Sequence, residues 1–292
     1  MRITGYRMID LAAASTANAQ SAVSEQAAEV TSGLRVTKPS DDPVAWSAAQ
    51  RAKLRKTLAE GASSAVRVSR DQIQQTDGAL GTLSDLVSQV RTLAVQGANG
   101  SYSASERAGL AAQVHGLFLS AIAAANTQST SGEYLLAGGQ SLAAPFAADG
   151  TYVGDGASRS VATDPSSSAI ATIPGSRLTA AFGVDVLPLL DRVATALAAN
   201  DLPGLQAGLG DLDTAVRQLS LTRTVTGGAM NVLDATVTAH AQLATNLQTQ
   251  ISSDVEVDMV AAATGLAKAS STLDASRTVS AHLIQLLNQG GG

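Results

Sequence analysis

The residues able to do chemistry are few in this chain, and their spacing argues against a reaction. Histidines stand at 115, 240 and 282. None is followed by Glu, so the helical zinc-protease pattern, two imidazoles one turn apart with a general base between them, is absent. There is no cysteine, which leaves a zinc cluster without thiolates. Lys38, Lys53, Lys56 and Lys268 all follow a residue other than Gly, and that removes the phosphate-cradling loop. Gly154-Asp155-Gly156 opens like a dinucleotide fingerprint, but Arg159 stands where the last Gly belongs and the segment lies between strand-like runs, so it reads as a turn. Asp41-Asp42 has the chemistry of an acid pair or a divalent-cation contact; beside Pro43, a helix cap explains both carboxylates. His240 lies on an apolar seam with no second ligand one turn away, and reads as a packing histidine. Arg51, Lys53, Arg55 and Lys56 form a basic cluster without interleaved aromatics, which suits a solvated or inter-subunit helix face better than a nucleic-acid site. The expectation is a protein with no catalytic, cofactor or metal site.

The elements that position these residues are rods. From Leu202 to Ile251 an unbroken 3,4 alternation runs through Leu205, Leu209, Leu212, Val216, Leu219, Arg223, Thr226, Met230, Leu233, Val237, His240, Ala244 and Leu247. This is the seam of a helix packed lengthwise against others. The next rung, Val255, comes four residues on where three are due. A second ladder then runs through Met259, Ala262, Leu266, Ala269, Leu273, Ser276, Ser280, Leu283 and Leu287. A skipped residue rotates the seam by about 100°, so Ser252-Ser253-Asp254 marks a boundary between two packing environments along the helix.

Further helices precede these. Residues 1–32 read as an Ala-rich helix stopped by Gly33. A loop leads to a long helix that Ser40 or Asp41 can cap, with Pro43 in its first turn, ending at Gly97-Ala98-Asn99-Gly100. Ser103 and Glu106 form a capping-box pattern for the next, whose buried face is Leu110, Val114, Leu117, Ala121 and Ala124. Between about 133 and 182, Gly, Ser, Pro and Asp crowd in, and Tyr134-Leu135-Leu136, Tyr152-Val153 and Ile170-Ala171-Thr172-Ile173 suggest hairpins around Asp149-Gly150 and Asp155-Gly156. Helices resume near Asp185. The predicted fold is mainly α: a long antiparallel helical bundle or coiled coil built from both chain ends, with a small β-rich insert in the middle. Three parts are expected: 1–40 with 255–292, 41–132 with 184–253, and the insert 133–183.

Composition agrees with rods. The chain has 292 residues but one Trp, four Tyr and three Phe; its apolar set is dominated by Ala, which suits close helix approach more than a thick core. A formal charge of −5 argues against non-specific binding to nucleic acid. No stretch is expected to reach the roughly 18 apolar residues of a membrane span. Met1 to Arg7 lacks the apolar core of a cleaved secretory signal.

Ser32-Gly33-Leu34-Arg35-Val36, then Pro39 and Asp41-Asp42-Pro43-Val44-Ala45, resemble the signature that follows the first helix in the flagellin superfamily. Within it, Met1-Arg2-Ile3-Thr4 with Met8, the Asp-Asp-Pro, Tyr134-Leu135-Leu136-Ala137-Gly138, and the stretch from Asp258 through Leu273, Ala275-Ser276 and Leu283 to Leu287 are similar to the hook-filament junction proteins. The resemblance implies a structural axial protein of the bacterial flagellum, outside the cell, exported without a cleaved signal through the flagellar type III channel. Its implied partners are the first hook-associated protein, flagellin, copies of itself in a ring, and a cytosolic export chaperone on the C-terminal helix. Neither nucleic acid nor membrane is among them. Met8, Val255, Met259, Leu266, Leu273, Leu283 and Leu287 are then expected at the assembly interface, while Gly33, Arg35, Asp41, Asp42 and Pro43 form the family motif that caps and anchors the second helix. A flagellin filament subunit is the alternative, and a coiled-coil enzyme or signalling module a distant third.

Overall fold

The computed structural model describes residues 2–164 and 166–289, with side chains from 7 to 286 among them. Six α-helices account for most of these residues: α1 (Arg2–Ser32), α2 (Pro43–Gly97), α3 (Ala104–Ala125), α4 (Val186–Ala198), α5 (Leu202–Val255) and α6 (Met259–Gln289). Between α3 and α4 stands one antiparallel two-stranded sheet, β1 (Ser160–Asp164) with β2 (Ser167–Ile170), Ser160 opposite Ile170. The fold is mainly α with a small β insert. The chain divides into two compact units, one of residues 1–58 and 243–292, the other of 59–242.

In the second unit the 3,4 ladder of α5 faces the core. Leu205, Leu212 and Leu219 are buried with Leu80, Leu83, Val87 and Val90 of α2, Val114 and Phe118 of α3, and Leu187, Leu190 and Leu197 of α4. Burial of several leucines, each worth about 1.5–3 kcal/mol, is the main stabilising term here. α2 and α5 run antiparallel, as their ion pairs show: Arg70 with Asp234 at 2.8 Å, Arg223 with Asp77 at 3.0 Å, Arg91 with Asp213 at 2.6 Å. These pairs are exposed and fix register more than they stabilise. By length and composition α3 could cross a bilayer, against the expectation of no such stretch; its Leu110, Val114, Phe118, Ala121 and Ala125 are instead buried in this core.

The insert holds less regular strand than its alternating runs suggest. Tyr152 makes only an isolated bridge to Phe146, across a turn in which Gly150 takes a positive φ of 82°. Tyr134 likewise pairs only with Gln128. Ion pairing substitutes for sheet. The Glu133 carboxylate receives both Arg159 guanidinium nitrogens, at 3.1 and 3.0 Å, and the Gln72 amide of α2 at 2.6 Å. Arg159, chiefly, holds the Glu133 carboxyl down at about 2. A second cluster places Ala169 and Ile173 of the insert on Val66 and Ile73 of α2 and Ala229 and Leu233 of α5.

The register slip is resolved by a break and not by a continuous rotated helix. α5 ends at Val255, and Glu256 to Asp258 form a non-helical link before α6. Glu256 bridges Leu34 antiparallel, the Arg35 amide donates to the Val255 carbonyl at 2.8 Å, and the Val257 amide donates to the Gly33 carbonyl at 3.0 Å. The β-branched Val257 within the link disfavours continuation of the helix. Asp258 then caps α6, accepting from the amides of Val260 at 2.9 Å and Ala261 at 3.2 Å.

Candidate assembly interface

Within the first unit α1 and α6 pack antiparallel through small residues and hydroxyls. Thr16 meets Ser276 and Ser280, each at 3.1 Å, and Arg277 donates to Gln20 at 2.9 Å. Gly265 lets Gln26 lie against α6, since a Cβ there would stand 2.1 Å from the Gln26 side-chain oxygen. Close approach of this kind leaves little room for large side chains between the helices. Of the described side chains of α1 only Ala19 is buried. The larger ones point away: Met8 is 54% exposed, Leu11 71%, Met259 50% and Val260 78%, with Ile9, Val279, Ile284 and Leu286 also on the surface. Two shallow grooves lie beside the pair, one of about 460 Å³ along Ile9, Ala13, Ala17 and Ile284, and one of about 530 Å³ along Met8, Leu11, Ala275 and Val279.

The expected interface residues thus separate by environment. Met8 and Met259 are exposed, and Leu266 and Leu283 are half-buried. Leu273, 6% exposed, is already buried within the chain. So is Val255, which packs with Val36, Ala49, Ala52, Leu247 and Ile251 in a core of the first unit. The side chain of Leu287 lies outside the described residues. Ile9, Leu11, Val260, Val279, Ile284 and Leu286 were not singled out from sequence, because they flank the 3,4 ladder; an apolar row beside a seam is the signal that marks a second buried face.

The motif loop joins the two ends of the unit. Gly33 takes a φ of 70°, the left-handed conformation that closes α1, and its amide donates to Glu29 at 2.8 Å. The Arg35 guanidinium donates to the Asp254 carbonyl at 2.9 Å and lies 3.5 Å from Asp42. Asp42, and neither Ser40 nor Asp41, is the helix cap: its carboxylate accepts from the amides of Val44 at 3.1 Å and Ala45 at 2.9 Å, with Pro43 as the first helical residue. Those bonds, the Ala45 amide foremost, lower the Asp42 pKa. Asp41 ties the loop instead, accepting from the amides of Thr37 and Lys38 and from the Thr37 hydroxyl, and the Thr37 amide is the first cause of its lowered pKa.

The other candidates have structural partners. The His240 ring meets the Thr163 carbonyl of β1 at 2.9 Å. Asp155 accepts from the amides of Gly139 at 2.8 Å and Ala157 at 3.0 Å. Arg51, Lys53 and Arg55 are exposed, and Lys56 reaches Gln248 at 2.8 Å. Among the described residues, no three His, Asp or Glu side chains converge as metal ligands. Sequence reasoning missed Arg107, buried at the end of the α2–α3 turn, where it donates to the carbonyls of Gly97 at 2.7 Å and Asn99 at 2.9 Å and to the Asn200 side chain. A charge at the fourth position after a cap gives no hint of burial.

Residues 6–141 match the bacterial flagellin N-terminal helical region. The chain is 27% identical over 246 residues to flagellar hook-associated protein 3 of Escherichia coli, covering 79% of this chain and 75% of that one. In fold it is similar to a flagellar hook-associated protein of Vibrio parahaemolyticus, with a TM-score of 0.68 and 21% identity over 74% of this chain and all of that one. The flagellar junction protein FlgL of Legionella pneumophila shares the fold with a TM-score of 0.54 and 14% identity, over 72% of this chain and all of that one. Residues 6–141 are thus similar to the flagellin N-terminal helical region, and most of the chain's length is similar to flagellar hook-associated protein 3.

Proposed function

We propose that this chain is a structural adapter of the bacterial flagellum that joins the hook, through the first hook-associated protein, to the flagellin filament. The observation that carries the reading is the α1–α6 pair, which leaves most of its described large apolar side chains exposed and buries only Leu273 among them. A helix pair with Met8, Leu11, Met259 and Val260 in water has apolar area to bury against other chains. Similarity to flagellar hook-associated protein 3 supplies the setting. Met8, Met259, Leu266 and Leu283 contribute to contacts with neighbouring copies in a ring, and Leu287 extends the same ladder; Val255 and Leu273 act from within, holding the pair together. Residues 1–40 with 255–292 form an inner layer of the assembly, 41–132 with 184–253 the next, and 133–183 the outermost. Gly33, Arg35, Asp41, Asp42 and Pro43 anchor the second helix beside the inner layer.

Export through the flagellar type III channel, with a cytosolic chaperone holding α6 in its apolar groove, fits the same exposed rows. Electron microscopy of a strain lacking the gene tests the adapter role: hooks without filaments and flagellin lost to the medium are expected, and normal filaments on the hooks would refute it. The flagellin-type N-terminal region favours one second reading, a filament subunit. Seeded polymerisation of the pure protein into long filaments would mark that reading as correct.

A further inference from the structure

We propose that Asn99, in the turn between α2 and α3, is a built-in site of spontaneous deamidation, its side-chain amide attacked by the backbone nitrogen of Gly100. Of the seven asparagines, at 18, 99, 126, 200, 231, 246 and 288, only Asn99 precedes Gly. Glycine leaves the following nitrogen free to swing toward the side-chain carbon, and the space where a Cβ of residue 100 would sit is open. The Gly100 amide donates no hydrogen bond among those of the described residues, so the nucleophile itself is not tied, although the Asn99 carbonyl of the same peptide plane accepts from the Tyr102 amide at 3.2 Å and from Arg107 at 2.9 Å. The Asp-Gly steps differ on this point: the Gly150 amide donates to the Ala147 carbonyl at 3.0 Å, the Gly156 amide to the Tyr152 hydroxyl at 3.2 Å, and Gly78 lies inside α2.

The electrophile is also prepared. The Asn99 side-chain oxygen accepts from the Ser101 amide at 3.1 Å and from the Ser101 hydroxyl at 3.0 Å. Two donors on that oxygen polarise the Cγ carbonyl and remain in place for the oxyanion that forms on attack. In the reaction the Gly100 nitrogen gives its proton to hydroxide and bonds to Asn99 Cγ. The tetrahedral adduct collapses, the bond from Cγ to the side-chain nitrogen breaks, and that nitrogen takes a proton from water and leaves as ammonia. Water then opens the succinimide at either carbonyl, giving aspartate or isoaspartate with no change of oxidation state. Arg107 biases the outcome. Its guanidinium lies 2.9 Å from the Asn99 main-chain carbonyl oxygen, and in the isoaspartyl product that carbonyl carbon carries a free carboxylate, which pairs with the guanidinium.

The test uses the full chain, incubated in mildly alkaline buffer, cut with trypsin and followed by mass spectrometry on the peptide Thr92–Arg107, with isoaspartyl methyltransferase labelling to separate the two products. The mass gain of an amide-to-acid exchange should appear first in this peptide, rise with hydroxide concentration and be mostly isoaspartate. Ser101→Ala keeps the amide donor and should slow the folded protein about threefold, well short of the roughly hundredfold loss in a dry enzyme site, with no effect in urea. Gly100→Ala should slow the reaction about tenfold or more in either condition. Modification of another asparagine while Asn99 stays intact would overturn the site. Equal rates for wild type and Ser101→Ala in the folded state would overturn the role of the turn.

Discussion

Glu133 shows how one carboxylate can hold an insert to a helix. Its pKa falls from the ordinary 4.5 to about 2, chiefly because of Arg159, with Gln72 and Ser141 adding hydrogen bonds. A carboxyl whose pKa is lowered in the fold stabilises it above the unfolded value and ceases to do so once protonated. The Glu133 contribution is therefore complete above about 4.5 and is lost as pH falls toward about 2. Melting curves of wild type and Glu133→Gln should differ most at neutral pH and converge across that interval; a constant gap would contradict the pairing. Asp42→Ala should lower the melting temperature of the first unit by a few degrees through loss of the α2 cap, and Asp41→Ala should loosen the loop without fraying α2. Amide exchange at Val44 and Ala45 distinguishes the two. That a cap stood near Pro43 was legible from residue type, but which carboxylate supplied it was not. Adjacent aspartates offer the same oxygen atoms, and only backbone direction chooses between them.

At the scale of elements, legibility followed periodicity. The stop at Gly33, the capping box of Ser103 and Glu106, the resumption of helix after Asp185 and the seam through Leu205, Leu212, Leu219 and Leu233 all rest on local rules, and the structure contains each of them. The insert was harder to read. Its short runs make isolated bridges because side-chain pairs such as Glu133 with Arg159, which no period reveals, fix the path of the backbone. The slip after Ile251 was visible as a discontinuity, but its form, a three-residue break with Glu256 bridged to Leu34, depends on a partner more than two hundred positions away. Differences in burial should set the order of opening. α1 and α6 bury few side chains, and helices need packing to offset the entropy of ordering. Amide exchange of the monomer should be fast in residues 7–30 and 260–286 and slow in 73–94; equal protection would refute this. Leu212→Ala and Leu233→Ala, at fully buried positions, should each cost about 2–5 kcal/mol, read from denaturant melts.

For the whole molecule we propose that the chain folds with its helical core satisfied and its terminal pair incomplete, so that assembly finishes what folding leaves open. Met8 and Met259, both about half exposed, separate the two processes better than Leu273 does, because a charge at Leu273 would also damage the chain's own α1–α6 contact. Aspartate at Met8 and Met259 stays solvated in the monomer but becomes costly once a neighbour covers it. The most direct measurement is electron microscopy of purified hooks carrying the first hook-associated protein, incubated with wild-type chain or with the Met8→Asp, Met259→Asp variant after both are shown to melt alike. The account predicts a finite added layer with the wild type and none with the variant. A normal layer from the variant, or filaments growing without limit from the wild type alone, would contradict it.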